Sequence, residues 1–188
     1  MVSVWLYLAL LGVVGLERLF ELSLSRRNLR ALRAKGAVEV GQGHFPVMVA
    51  LHTAFLFSCG AEVWIFARPF TPWLGAVALA VTVAAQALRY WAVTTLGERW
   101  NTRVVVLPGA EPVVGGPYRF VRHPNYLAVV LELIALPLVH GAWATAVVFT
   151  LANAWLLSVR IRVEEQALGE RWAAAFGRTP GPLPRGDA

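Results

Sequence analysis

Cysteine is almost missing from this 188-residue chain: Cys59 stands alone, so no internal disulfide is possible. The four histidines, at positions 44, 52, 123 and 140, are widely scattered, and no zinc-site spacing accompanies them. Neither a P-loop nor a GxGxxG fingerprint occurs, which removes the commonest nucleotide-binding signatures. What the chain has in abundance is apolar surface. Hydrophobic residues make up 57% of it, and the mean hydropathy is +0.58. A soluble domain of this size cannot bury so much, so the bilayer is the expected solvent. The net charge of +6 would suggest nucleic acid in a soluble protein. Here the basic residues fall between apolar runs, so membrane topology and anionic lipid account for them, and no nucleic-acid partner is expected.

Five apolar segments follow one another. Residues 2–20 come first, and 19 residues of helix reach about 28 Å, close to the hydrocarbon thickness. No basic region precedes this segment and no small-residue cleavage site follows it, so it reads as a retained helix. Glu17, Arg18 and Glu21 lie at its inner end. Residues 22–46 hold Arg26, Arg27, Arg30, Arg33 and Lys35, then Gly36, Gly41, Gly43 and Pro46. A helix lying along the membrane surface to about Ala34, then a connecting loop, is the economical reading. The second span, 47–67, carries His52 and Glu62, which are expected to face the bundle interior and bond between helices. A turn, Arg68-Pro69-Phe70-Thr71-Pro72, leads into the third span, 73–96, with Gln86, Arg89 and Tyr90 towards its far end. The fourth segment, 127–139, is only 13 residues long, contains Glu132 and ends near Pro137. With the fifth, 143–159, it predicts a helical hairpin that need not cross the full bilayer.

Between the third and fourth segments lies a polar connection, 97–125, in which Thr102–Leu107 and Ala110–Val114 predict a small hairpin about Pro108-Gly109. It closes on Gly115–Tyr126, G-G-P-Y-R-F-V-R-H-P-N-Y. Six of its side chains form hydrogen bonds readily: Tyr118, Arg119, Arg122, His123, Asn125 and Tyr126. Pro117 and Pro124 fix φ and push the residues before them towards extended backbone. That holds His123 in a non-helical geometry beside a helix start, where free backbone N–H groups favour anions. Charge orients the whole. Segments 21–46, 97–125 and 160–188 hold five, four and five basic residues, 14 of the 17 present. The positive-inside rule makes these three cytoplasmic and the N-terminus external, and five crossings put the C-terminus inside.

Beyond the last span comes R-I-R-V-E-E-Q-A-L, residues 160–168. Arg160 and Glu164 share one helix face, as do Ile161, Glu165 and Leu168. Alone, the pattern describes an ordinary amphipathic helix with an ion pair. In order with the earlier stretch it is more specific. G-x-Y-x-x-x-R-H-P-x-Y, a helical hairpin, then R-I-x-x-E-E-x-x-L resembles the isoprenylcysteine carboxyl methyltransferase family. The tail F-G-R-T-P-G-P-L-P, residues 176–184, is similar to that family's terminal pattern with Pro182 inserted. The motifs span about residues 96–184. The N-terminal half matches in hydropathy and resembles a bacterial branch in which some members are linked to methylation of polyketide alkylpyrones.

The resemblance implies an all-α integral membrane protein of about five transmembrane helices, forming one methyltransferase domain over 1–188. Residues 1–96 are its three N-terminal spans; 97–188 hold the cofactor-binding loop, the hairpin and the C-terminal amphipathic helix. It implies S-adenosylmethionine in a cytoplasmic pocket, S-adenosylhomocysteine as product, and a lipophilic acceptor arriving from the bilayer, in a bacterial inner membrane. His123, Pro124 and Tyr126 would shape the cofactor pocket with Tyr118 nearby. Glu164 or Glu165 would hold the cofactor's polar end and Arg160 would face the acceptor. Gln86 and Arg89 join the expected pocket wall on physical grounds alone. The acceptor would be a prenylcysteine-like carboxylate or an alkylpyrone hydroxyl. Two rivals stand beside it: another enzyme on a similar scaffold, either a phospholipid N-methyltransferase or an NADPH-dependent membrane reductase, and a transport or scaffold protein with His52, Glu62, Arg89 and Glu132 as a polar path.

Overall fold

The computed structural model describes residues 2–177. Five α-helices carry the architecture: α1 (Val2–Ala34), α2 (His44–Ile65), α3 (Pro72–Leu96), α4 (Pro124–Leu138) and α5 (Trp143–Ala175). Four of them, all but α4, are long and apolar enough to cross a membrane. At 15 residues α4 reaches about 22 Å and stays shorter than the hydrocarbon core. Proline sits in the first turn of α3 and of α4, where its missing N–H costs nothing. Aromatic side chains such as Trp5, Phe57, Trp64, Trp73 and Trp155 point outward, as a lipid-solvated bundle allows.

α1 corrects one sequence expectation. It does not bend into a surface helix after residue 20 but runs on to Ala34, about 50 Å in all. Part of the reason lies in Ser25 and Asn28, polar residues on the side of α1 that faces the 97–102 connection. Asn28 Nδ2 donates to the Trp100 carbonyl at 2.8 Å, and Ser25 Oγ donates to Asn101 Oδ1 at 2.7 Å. Protein, rather than lipid headgroups, satisfies that face. A second correction concerns the expected hairpin of 102–107 with 110–114. Strand β2 (Val104–Val106) pairs instead with β1 (Val38–Val40), antiparallel, with Glu39 opposite Val105. Glu39 then binds Arg33 at 2.7 Å and Arg103 at 2.5 Å, which pins the two-stranded sheet to the end of α1.

The apolar core joins Tyr7, Leu11 and Val14 of α1 to Phe55, Cys59 and Val63 of α2 and to Leu133 and Leu136 of α4. Because lipid is as apolar as these side chains, close packing and polar bridges must hold the helices together. Gly75 illustrates the packing: a Cβ there would lie 2.9 Å from the Val139 carbonyl and 2.6 Å from Phe70. Glu62 supplies the polar bridge expected of it. From α2 it accepts the Ala144 and Thr145 N–H groups at 3.1 and 2.7 Å, and it also binds Arg68, so it caps the start of α5. Glu62→Ala should therefore cost about 2–3 kcal/mol in denaturant unfolding of the detergent-solubilised protein, with Glu62→Gln costing less. An unchanged midpoint would show that water caps this helix equally well. α5 continues as one helix through Glu165, with a single break at Gly169, φ 72°.

Candidate active site

The stretch Gly115–Tyr126 crosses the end of α3 as a 3-10 turn, Gly116–Arg119, and then enters α4. Gly116 has φ 56°, and a Cβ there would sit 2.4 Å from Thr95 Oγ1, so only glycine lets the turn lie against α3. The turn buries Tyr118, whose hydroxyl is pushed well above its ordinary range by burial and, secondarily, by the charge of Glu164. His123 then adopts φ −127°, ψ 66°, and its carbonyl receives the N–H groups of Tyr126 and Leu127. Pro124 is buried behind it in the first turn of α4, as scaffold.

Two hydrogen-bonded groups meet here, one for each carboxylate of the Glu164-Glu165 pair. Tyr126 OH donates to Glu164 and accepts from Arg160 Nε at 2.7 Å. Arg160, 4% exposed, also donates to the Thr102 carbonyl at 2.6 Å and to Met48 Sδ at 3.0 Å. Arg160 and Glu164, expected as an i,i+4 pair, are thus joined through the Tyr126 hydroxyl. Glu165 Oε1 accepts from His123 Nε2 at 3.2 Å, with Arg122 at 3.8 Å. The His123 ring stacks on Tyr126, centroids 5.2 Å apart, and its other neighbour is Trp172 at 5.4 Å.

These side chains border a cleft of about 700 Å³ that also takes in Trp100, Asn125 and the β2 segment. Tyr118, His123, Tyr126, Arg160 and Glu164 all line it, while Glu165 acts from behind through His123. Two polar atoms on its wall are buried without partners, Trp100 Nε1 and Asn125 Oδ1. One donates and the other accepts, so the wall fits a ligand with complementary polar edges. No group of three metal-ligating side chains occurs among the described residues. Sequence reading missed Met48, Trp100 and Trp172. None of the three had a local signal: Trp172 lies beyond the break at Gly169, so helical spacing from Glu165 does not place it.

Gln86 and Arg89 are not brought to this cleft. They face α1 and α4, inside an ionic cluster of their own. Arg89 binds Glu132 at 2.6 Å and Glu21 at 3.6 Å, while Arg18 binds Glu21 at 2.8 Å, Glu17 at 3.2 Å and Glu132 at 3.6 Å. Gln86 and Tyr90 each donate to Glu17. In a low-dielectric bundle, carboxylates at these distances hold a guanidinium far more strongly than a pocket wall can. The tail motif's residues 178–184 lie outside the described residues.

Comparison with known proteins agrees with the motif arrangement. A family model, isoprenylcysteine carboxyl methyltransferase (ICMT) family, matches residues 77–170. The uncharacterised protein YpbQ of Bacillus subtilis (strain 168) is 42% identical over 167 residues, 88% of this chain and 96% of that protein. An uncharacterised protein of Haemophilus influenzae is 33% identical over 152 residues, covering 80% and 88% respectively. No solved structure matches significantly.

Proposed function

This chain belongs to the isoprenylcysteine carboxyl methyltransferase family, and on that premise we propose that it transfers a methyl group from S-adenosylmethionine to an oxygen of a lipophilic acceptor. The observation that carries the reading is the joined pair of networks, Arg160–Tyr126–Glu164 and His123–Glu165, around one cleft at the end of an apolar bundle. When bound, S-adenosylmethionine supplies an already activated sulfonium methyl. The chain's task is then to bind, align and exclude water, which can contribute about 7–11 kcal/mol. Glu164 holds the cofactor's cationic, polar end, and Glu165 fixes the His123 ring from behind. Tyr118, His123 and Tyr126 form the aromatic wall, and Trp100 Nε1 and Asn125 Oδ1 meet its polar edges. Arg160 presents its charge to the acceptor oxygen. Tyr126, hydrogen-bonded to both Arg160 and Glu164, keeps the two halves of the site in register.

The acceptor is a prenylcysteine-like carboxylate or the hydroxyl of an alkylated pyrone, reaching Arg160 from the bilayer. On this reading the cleft faces the cytoplasm from a bacterial inner membrane with the N-terminus outside, an orientation supported by the basic residues of segments 21–46, 97–125 and 160–188. Calorimetric titration of the purified protein in mild detergent, with S-adenosylhomocysteine and separately with NADPH, tests the reading. Saturable binding of the former alone is expected; binding of NADPH alone would make the cleft a reductase site. Glu165→Ala and His123→Ala should each weaken S-adenosylhomocysteine binding about tenfold, because each leaves the other without its partner. Full affinity in both would remove them from the cofactor wall.

A further inference from the structure

Leu107–Val114 forms one wall of the cleft with little to hold it there. The segment follows β2 and reads L-P-G-A-E-P-V-V. Its Pro108 and Pro112 carry no N–H, and Gly109, at φ 77°, turns the chain sharply, with the Ala110 N–H donating to the Leu107 carbonyl at 3.2 Å. No residue from Leu107 to Gly116 is buried, whereas Val104 before them and Pro117 after them are. Among the described residues, one side-chain hydrogen bond reaches the segment from outside: Arg99 Nη1 donates to the Glu111 carbonyl at 2.5 Å. The wall around Trp172 is fixed far more firmly. Trp172, 8% exposed, packs on His123 and Phe176 at 5.4 and 4.9 Å, and Arg122 donates to the Phe176 carbonyl at 3.0 Å. Of the two walls, the one with no buried residue and one exposed bond opens at the lower cost.

Next to this segment lies a second cavity, of about 330 Å³. It shares Leu32, Leu96, Arg99, Leu107, Ala110 and Glu111 with the cleft, so the segment and Arg99 partition the two. Lys35 and Glu98 complete its lining. They pair at 2.5 Å and stand more than half exposed, which puts the second cavity on the aqueous side. A displaced Leu107–Val114 joins the cleft to water by this way, without passing through the helix bundle or the lipid.

We propose that Leu107–Val114 is a strap that lifts to connect the two cavities and pass the cofactor, and that Arg99 is its latch. The passenger rests on the methyltransferase reading: S-adenosylmethionine is charged and comes from water, so it needs an entrance apart from the lipid side that admits the acceptor. The latch holds this mouth shut on the free and the loaded protein alike. Its loss therefore speeds arrival and departure together and leaves the affinity nearly unchanged. A residue that grips the cofactor behaves otherwise, since its loss mainly speeds departure. Arg99 lines the cleft, so these are the two roles to separate.

The exchange rates of S-adenosylhomocysteine are measured on the full-length protein in mild detergent by stopped-flow tryptophan fluorescence, with Trp100 in the cleft wall as reporter. Arg99 is exposed, so its replacement leaves the core intact. Arg99→Met should raise association and dissociation each about tenfold, the worth of one hydrogen bond from a charged donor, with Kd within about threefold of the wild type. Arg99→Lys, which can still donate to the Glu111 carbonyl, should recover most of the slow exchange. Faster dissociation at an unchanged association rate would make Arg99 a cofactor ligand and overturn the latch. Two unchanged rates would overturn it as well. A second readout needs no cofactor. Cys59 is 0% exposed, so a thiol placed by Ala110→Cys is the one open to maleimide, and cysteine keeps the backbone N–H that closes the turn. Its labelling should run about tenfold faster in the Arg99→Met background and slow when S-adenosylhomocysteine is added. Equal labelling with and without Arg99 would overturn the strap. Should S-adenosylhomocysteine not bind while Arg99→Met still speeds labelling, the latch stands and the methyltransferase reading falls.

Discussion

Arg89→Met is expected to destabilise the folded protein by about 3–5 kcal/mol, the range for breaking a buried ion pair from one side. Arg89 is 5% exposed and is the only described cation bound to Glu132 at hydrogen-bond distance. Its loss leaves Glu17, Glu21 and Glu132 facing Arg18 alone, deep in an apolar bundle. The double variant Arg89→Met, Glu132→Leu should be markedly less destabilised than the single one, because removing both partners also removes the unpaired carboxylate. Denaturant unfolding of the four proteins in detergent measures this. Additive costs would mean that water reaches the cluster and already screens it. The predicted non-additivity separates a dry ionic cluster from a wet one.

Arg160→Ala should lower methyl transfer about 1,000-fold while leaving S-adenosylhomocysteine affinity within a few-fold of the wild type. The magnitude follows from removing a preorganised donor aimed at developing or existing negative charge in a water-excluded site. Arg160→Lys is the informative companion. A lysine keeps the charge but cannot bind Tyr126, Met48 and Thr102 in the forked geometry of the guanidinium, so most of the loss should persist. The kinetic signature is a fall at low acceptor concentration. A normal rate there would assign Arg160 to scaffolding alone.

The elements most legible in the sequence were those with local causes. Pro72 and Pro124 mark helix starts, hydropathy marks the spans, and R-H-P-N-Y with R-I-x-x-E-E marks both faces of the cleft. What escaped was decided by partners far along the chain. β2 can pair with Ala110–Val114 on local evidence, yet β1, over 60 residues earlier, offers a strand already anchored through Glu39 to Arg33. Residues 22–34 look like a surface helix until Asn101 and the Trp100 carbonyl supply the hydrogen bonds that lipid headgroups would have supplied. Gln86 and Arg89 carry the right chemistry for a pocket wall. Which side of α3 they serve depends on where Glu17 and Glu132 lie, and no spacing within α3 encodes that. Met48 had no signal at all, since a thioether beside a guanidinium is visible only after folding.

Up to its break at Gly169, α5 is one rod, held at its first turn by Glu62 and carrying Arg160, Glu164 and Glu165 near its other end. Its tilt in the bilayer is therefore transmitted to the cleft as a displacement of all three side chains together. α4, too short to span on its own, supplies the facing wall and answers to a different part of the bilayer. Membrane thickness thus becomes a dimension of the cleft: thicker or thinner lipid would shift one of its walls against the other.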